Sequence, residues 1–232
     1  IVGLDNTPRG QVVDYQHAML MPGFVDIHVH GWGRGSFAWK GERHSLQAMS
    51  RDLVNAGVTA WLATSATQPE AFLLESLTTA SDWIAHAKAE DGAEAVGIHM
   101  EGPFINAKYS GMQRKESIQT PSIEGFERYQ QAARGHIRLM TLAPELPDAL
   151  PLIRHLHQAG VTVSAGHTDA TFDETTRAIE AGLCHFTHAF SAMRGLHHRE
   201  PGVVGALMYH QDTFAEVAKQ SGITLRPEVF DI

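Results

Sequence analysis

From Gly23 onward the apolar positions change period repeatedly, short continuous runs alternating with stretches in which apolar side chains recur every three or four residues. Residues 24–28 read as a first strand. Residues 44–56 place Leu46, Met49, Leu53 and Val54 at helical spacing, with Gly57 as the stop. A second strand spans 58–64, and Pro69 opens a long helix carrying Phe72, Leu73, Leu77, Trp83 and Ile84. The third strand covers 96–99, and Ser122 is placed to cap a helix containing Ile123, Phe126 and Tyr129. Then follow a strand at 137–142, a helix with Leu152, Ile153 and Leu156, a strand at 161–165, a helix over 172–181 stopped by Gly182, and a strand at 183–187. Six strand–helix alternations with crossovers of this size imply a parallel sheet. Polar residues stand at the ends of many different strands, which favours a closed barrel over an open doubly wound sheet. No GxGxxG loop follows the first strand, which counts against a dinucleotide fold. Eight strand–helix units need ~250 residues, and the pattern reaches only about the seventh. The expectation is an incomplete (β/α)8 TIM-type barrel over residues 22–232, with residues 1–21 as the edge of a separate small domain.

Composition narrows the function classes. At 43% hydrophobic over 232 residues the chain has enough apolar surface for a sizeable core. No stretch approaches the ~20 apolar residues of a membrane span, and residues 1–9 lack the basic start and apolar run of a signal peptide. The lone Cys184 excludes an internal disulfide and fits a reducing cytoplasm. A formal charge of −8 argues against a nucleic-acid partner. The unusual number is 15 histidines, and their positions decide what they mean.

His28 and His30 end the first strand. Residues i and i+2 point to one face, so both imidazoles are placed to converge on one metal inside a barrel; two polar residues at a strand end is the plainer reading. Glu101 follows the apolar segment 96–98, where a carboxylate is costly unless paired or metal-bound; a salt bridge or helix cap would also explain it. His99 shares that strand face. His167 follows the fifth strand and His188 the sixth. Singly, each is more often structural. Together, His28, His30, Glu101, His167 and His188 would share the rim of one barrel, where active sites sit, as a nitrogen-and-oxygen set suited to Zn²⁺, Fe²⁺ or a similar divalent ion. Downstream, Arg194, His197, His198 and Arg199 form a Gly-flanked basic cluster in an acidic protein. It reads as a solvated loop or as a handle for an anionic substrate, since Arg presents a planar fork matched to phosphate oxygens.

Several blocks, in order over residues 20–210, resemble the N-acetylglucosamine-6-phosphate deacetylase family. They are Pro22-Gly23-Phe24-Val25-Asp26-Ile27-His28-Val29-His30-Gly31, Gly57-Val58-Thr59 with Ala63-Thr64, and Gly97-Ile98-His99-Met100-Glu101-Gly102-Pro103-Phe104. Further on come Leu142-Ala143-Pro144-Glu145, Ser164-Ala165-Gly166-His167-Thr168-Asp169-Ala170, and Thr187-His188 through Arg199-Glu200-Pro201-Gly202. The resemblance implies a metal-dependent deacetylation of N-acetylglucosamine 6-phosphate, a (β/α)8 barrel, and a small β-sandwich built from both chain ends, of which residues 1–21 would be a remnant. It implies one or two divalent ions, zinc or iron, with Glu101, His167 and His188 as ligands of the main ion and His28 and His30 as ligands of a second. No lysine lies in 137–143 to serve as the carboxylated bridge of many binuclear amidohydrolases, so Glu101 would bridge. His99 is not a ligand in the family. Gln113 and the backbone of Ala192 fall at substrate-contacting positions, and Arg199 matches a phosphate-binding arginine. A homodimer is the expected assembly, and a small amino-sugar phosphate the expected partner.

There are departures. Ser191 stands where the family usually has Asn, and Thr224 replaces a His that approaches the substrate carbonyl. The alignment near 217–220 is one residue too long. The family's catalytic Asp is expected beyond Ile232, so no catalytic residue is assigned within the chain. These departures keep open a deacetylase of N-acetylgalactosamine 6-phosphate, and a non-catalytic sugar-phosphate binder.

Overall fold

The computed structural model describes residues 15–17, 19–217, 226 and 228–229, so most of the expected domain edge at 1–21 lies outside the described residues. Strand β1 (Phe24–Val29) leads through the hairpin β2 (Gly31–Trp32) and β3 (Gly35–Ser36) into helices α1 (Phe37–Lys40) and α2 (Arg43–Val54). Strand and helix then alternate as β4 (Val58–Thr64), α3 (Glu70–His86), β5 (Glu94–Glu101), α4 (Ile123–Ala132), β6 (Ile137–Leu142) and α5 (Ala149–Gln158). They continue as β7 (Thr162–Ala165), α6 (Phe172–Glu180), β8 (His185–Phe186), α7 (Gly202–Tyr209) and β9 (Phe214–Ala215). Each helix returns the chain to the same end, so seven strands pair in parallel in the order β1-β4-β5-β6-β7-β8-β9.

Laid flat, six steps of ~4.8 Å would hold the outer strands ~29 Å apart. Yet His28 Nδ1 on β1 lies 2.7 Å from Glu216 Oε2, one residue past β9. The sheet is therefore strongly curled, and side chains from its two edges meet at the C-terminal ends of the strands. Helices cover the outside. Leu46, Met49 and Leu53 of α2, Leu73 and Leu77 of α3, and Leu152, Ile153 and Leu156 of α5 are fully buried against it. Truncating any of these leucines to alanine would cost roughly 2–5 kcal/mol. Local chemistry starts the helices where the sequence says: Ser122 Oγ accepts from Gly125 N at 3.0 Å. Thr171 and Glu174 form a reciprocal capping box at the head of α6. Among the described residues no helix is long and apolar enough to cross a membrane.

Three details differ from the sequence expectation. Residues 31–36, to which the sequence pattern assigns no element, form a hairpin of two residues per strand turned by Gly33 at φ +58°. The strand expected over 183–187 pairs only at His185–Phe186, because Leu183 N caps the preceding helix by donating to Ala178 O and His188 turns the chain at φ +35°. Helix α7 is a uniformly apolar run that periodicity could not identify.

Candidate metal centre

Each proposed ligand sits at or just beyond the C-terminal end of a strand. Glu101 is the last residue of β5, His167 follows β7, and His188 follows β8. Gly166 lets β7 end tightly between its neighbours: a Cβ there would meet Thr141 Cγ2 at 2.7 Å and Thr187 Cβ at 3.0 Å. His167 and His188 then adopt positive φ, +49° and +35°, a strained conformation that concentrates at functional sites. The strain turns both imidazoles inward.

The five side chains converge. Glu101 Oε1 lies 3.1 Å from His167 Nε2 and 3.1 Å from His188 Nε2, and these two nitrogens are 3.1 Å apart. The other oxygen, Oε2, is 3.1 Å from His30 Nε2, while His28 Nε2 is 3.3 Å from His30 Nε2 and 3.6 Å from Oε1. Every Nδ1 is already committed to an acceptor. That of His167 donates to Tyr109 O at 2.8 Å, that of His188 to Ser191 O at 3.1 Å, and that of His30 to Thr64 O at 3.2 Å. His28 Nδ1 donates to Glu216 Oε2. In the neutral rings all four Nε2 atoms are then bare lone pairs, facing each other and a carboxylate. Without a cation between them such pairs repel. Ligands at ~2.0–2.1 Å from a tetrahedral ion lie about 3.3 Å from one another, so both clusters, Glu101–His167–His188 and His28–His30–Glu101, have the spacing and donor chemistry of a divalent-ion site.

The electrostatics agree. Burial alone would raise the Glu101 carboxyl, but His167, His188 and His30 outweigh it and hold it well below the usual carboxylate range. Burial disfavours a proton on His28 and on His167. The hydrogen bond to Glu216 for the former, and to Glu101 for the latter, overcome it and raise both. Both shifts run in the direction that favours positive charge beside the carboxylates.

His99 is different. Its Nδ1 donates to Ile27 O at 3.0 Å, so its Nε2 must accept from Thr141 Oγ1 at 2.7 Å. That choice fixes the whole chain behind it: Thr187 donates to Thr141, Ser164 to Thr187, and His185 Nδ1 to Ser164. His99, fully buried, is pushed down to about 3, by burial first and then by the nearby His28. It has no lone pair left for an ion, although it lies close to His28 and Glu216.

On the substrate side, Gln113 Nε2 donates to Glu101 Oε2 at 2.5 Å and its Oε1 accepts from Thr67 N at 2.5 Å, which brings it to the centre. Ser191 and Ala192 form the half-buried turn after His188, with Ala192 at φ +49° and its carbonyl accepting from Thr168 N. The basic cluster divides. Arg194 is tied to Asp169 by Nε to the carbonyl at 2.7 Å and by an ion pair at 3.0 Å. Arg199 is exposed and makes no ion pair among the described residues. Thr224 lies outside the described residues.

Two contributors escape sequence reading. Glu145 accepts from Asn106 Nδ2, Thr168 Oγ1 and Asp169 N, bracing the turn that carries His167. Glu216 accepts from both His28 and His188 N. Its signal was available: an acid directly after an apolar pair, Phe214-Ala215, is the pattern that singles out Glu101.

Comparison with known proteins places this geometry. N-acetylglucosamine-6-phosphate deacetylase of Bacillus subtilis is 41% identical over 211 residues, covering 90% of this chain and 53% of that protein. N-acetylgalactosamine-6-phosphate deacetylase of Escherichia coli O157:H7 is 34% identical over 197 residues, covering 84% of this chain and 51% of that protein. Among solved structures, a mutant N-acetyl-D-glucosamine-6-phosphate deacetylase from Mycobacterium smegmatis, in complex with N-acetyl-D-glucosamine-6-phosphate, superposes with a TM-score of 0.82 at 32% identity. It covers 90% of this chain and 53% of that one. The chain thus spans about half the length of the relatives it matches. The sequence profile of the amidohydrolase family matches residues 19–231, the stretch that supplies every strand of the curled sheet and every residue of the histidine–glutamate cluster. The chain belongs to the amidohydrolase family.

Proposed function

We propose that the full-length protein is a metal-dependent deacetylase that hydrolyses N-acetylglucosamine 6-phosphate to glucosamine 6-phosphate and acetate. The observation that carries this reading is the convergence of four imidazole Nε2 atoms, each with its Nδ1 proton committed elsewhere, on the two oxygens of Glu101. Glu101, His167 and His188 hold one divalent ion, and His28 and His30 share Glu101 with a second; zinc or iron(II) suits the donors. When bound, such an ion polarises the acetyl carbonyl and acidifies water at the site. Gln113, Ser191, the Ala192 backbone and Thr224 orient the sugar and its acetamide, and Arg199 offers its fork to the 6-phosphate. The proton for the departing amine comes from the Asp that the family resemblance places beyond Ile232. The curled sheet is, in this reading, part of a (β/α)8 barrel in which an eighth strand lies between β1 and β9, with residues 1–21 in a small β-sandwich. The enzyme is cytoplasmic and dimeric; sedimentation velocity decides the latter.

Ser191 and Thr224 keep a second reading open, deacetylation of the galactosamine isomer, the activity that names the 34% identical E. coli O157:H7 relative. Acetate release by the full-length protein from both N-acetylhexosamine 6-phosphates, and from unphosphorylated N-acetylglucosamine, separates them. Preference for the galactosamine isomer selects the second reading. Sugar-phosphate binding without acetate release, in protein reloaded with zinc, overturns catalysis altogether.

A further inference from the structure

We propose that Glu216 is the positioning residue of the second ion position, its carboxylate fixing the His28 ring while its main chain holds the His188 turn. This rests on the metal reading above. Glu216 Oε2 accepts from His28 Nδ1 at 2.7 Å and from His188 N at 3.1 Å. The first contact sets the tautomer of His28 and leaves Nε2 bare, aimed at His30 and Glu101. The second holds a residue at φ +35°, whose Nε2 faces the other ion position. The main chain of Glu216 grips the same turn from both sides: its N donates to Phe186 O at 2.9 Å, and its carbonyl accepts from Ala189 N at 2.7 Å. His28 belongs to one edge strand and His188 follows the strand next to the other, so Glu216 is also the link by which the curled sheet sets the distance between the two sets of ligands.

The two roles separate on substitution. Removing the carboxylate leaves the two main-chain bonds of residue 216, so the His188 turn keeps most of its support. His28 loses its only Nδ1 acceptor among the described residues. A carboxylate behind a ligand histidine fixes ring orientation and raises its basicity, and its loss weakens metal affinity by about 10–100-fold.

The test is zinc binding by the full-length protein, using zinc alone as the probe, with stoichiometry from plasma emission and affinities from competition with a chromophoric chelator. Wild type takes up two zinc ions per chain, and His28→Ala only one. Glu216→Ala is expected to weaken the ion lost in His28→Ala by about 10–100-fold, with the other much less affected. Glu216→Gln keeps an acceptor oxygen of the same shape and should recover part of the loss, which a merely structural role would not produce; being isosteric, it also serves if the alanine variant fails to fold. Equal weakening of both ions in both variants, or no change in either, overturns the inference while leaving the two-ion reading intact. A wild type that binds fewer than two zinc ions overturns both.

Discussion

The rim of the curled sheet holds two regions built on opposite principles. The histidine–glutamate centre is buried at Glu101 and His167, half-buried at His28, His30 and His188, and over-determined: each imidazole is pinned through Nδ1 before any ion arrives. The turn at residues 196–199, by contrast, is exposed throughout, and among the described residues Arg199 is held only by its backbone, whose N donates to His197 Nδ1 at 3.3 Å. The contrast teaches a division of labour. A site that must gather an ion needs lone pairs held together against their mutual repulsion, and strain and burial supply that. The proposed phosphate handle instead presents an exposed arginine with no ion pair among the described residues. Substitutions in the first region should therefore affect all substrates alike, and in the second only those carrying phosphate.

The largest expected effect is that of Glu101→Ala. One oxygen faces His167 and His188 and the other faces His30, so this change removes a ligand from both ion positions at once. Zinc content after dialysis should fall to near zero, and acetate release from phosphorylated and unphosphorylated sugars should be lost together. A variant that keeps one tightly held zinc would mean that the two ion positions do not both depend on their shared carboxylate.

Arg199→Ala comes next. A charge-assisted bidentate pair contributes roughly 1.5–3 kcal/mol, which raises KM about 10–150-fold for the 6-phosphate and leaves the unphosphorylated sugar nearly unchanged. Arg194 provides the control. It is engaged with Asp169 inside the protein, so Arg194→Ala should lower thermal stability by about 1–2 kcal/mol without altering the ratio of the two KM values. If Arg199→Ala leaves that ratio where it was, phosphate is read elsewhere and the contrast between the two regions fails.

The same contrast explains what was legible beforehand. The central strands Val58–Thr64 and Ile137–Leu142 read to the residue, because each is a mostly apolar run of strand length whose later positions are all buried. All five proposed ligands were visible, since a His or Glu closing such a run is chemically out of place. Their tautomers were not: these depend on the carbonyls of Thr64, Tyr109 and Ser191, and backbone direction leaves no mark in residue identity. Glu216 was missed because its strand, Phe214–Ala215, is only two residues long. In the basic cluster, Arg194 and Arg199 look alike on paper. Only Asp169, 25 residues upstream of Arg194, distinguishes the fixed arginine from the free one.

The smallest expected effect is on stability against pH, and it separates the ligand histidines from the histidines behind them. Burial keeps His99 and His185 below the ordinary histidine value of 6.5, His99 at about 3. A depressed base contributes stability that is present above 6.5 and lost as pH falls, because the unfolded chain takes up protons the folded one refuses. Between pH 6.5 and pH 5, His99 alone accounts for a destabilisation on the order of 1–2 kcal/mol, about 2–8 °C in Tm for a chain of this size. His28 and His167 run the other way. Their values are raised, chiefly against burial by Glu216 and Glu101 respectively. Their contribution is therefore complete below 6.5 and disappears as pH rises through the elevated values. Chelated protein should accordingly be most stable near pH 6.5, weakening on both sides. Zinc should abolish the alkaline decline, since an ion then stands where the protons stood, and should leave the acid decline in place, since neither His99 nor His185 is a ligand. Calorimetric scans at pH 5, 6.5 and 8.5, with chelator and with zinc, measure this directly. A chelated protein as stable at pH 8.5 as at 6.5 would mean that the four lone pairs tolerate one another without any cation, and the strongest argument for the metal centre would be gone.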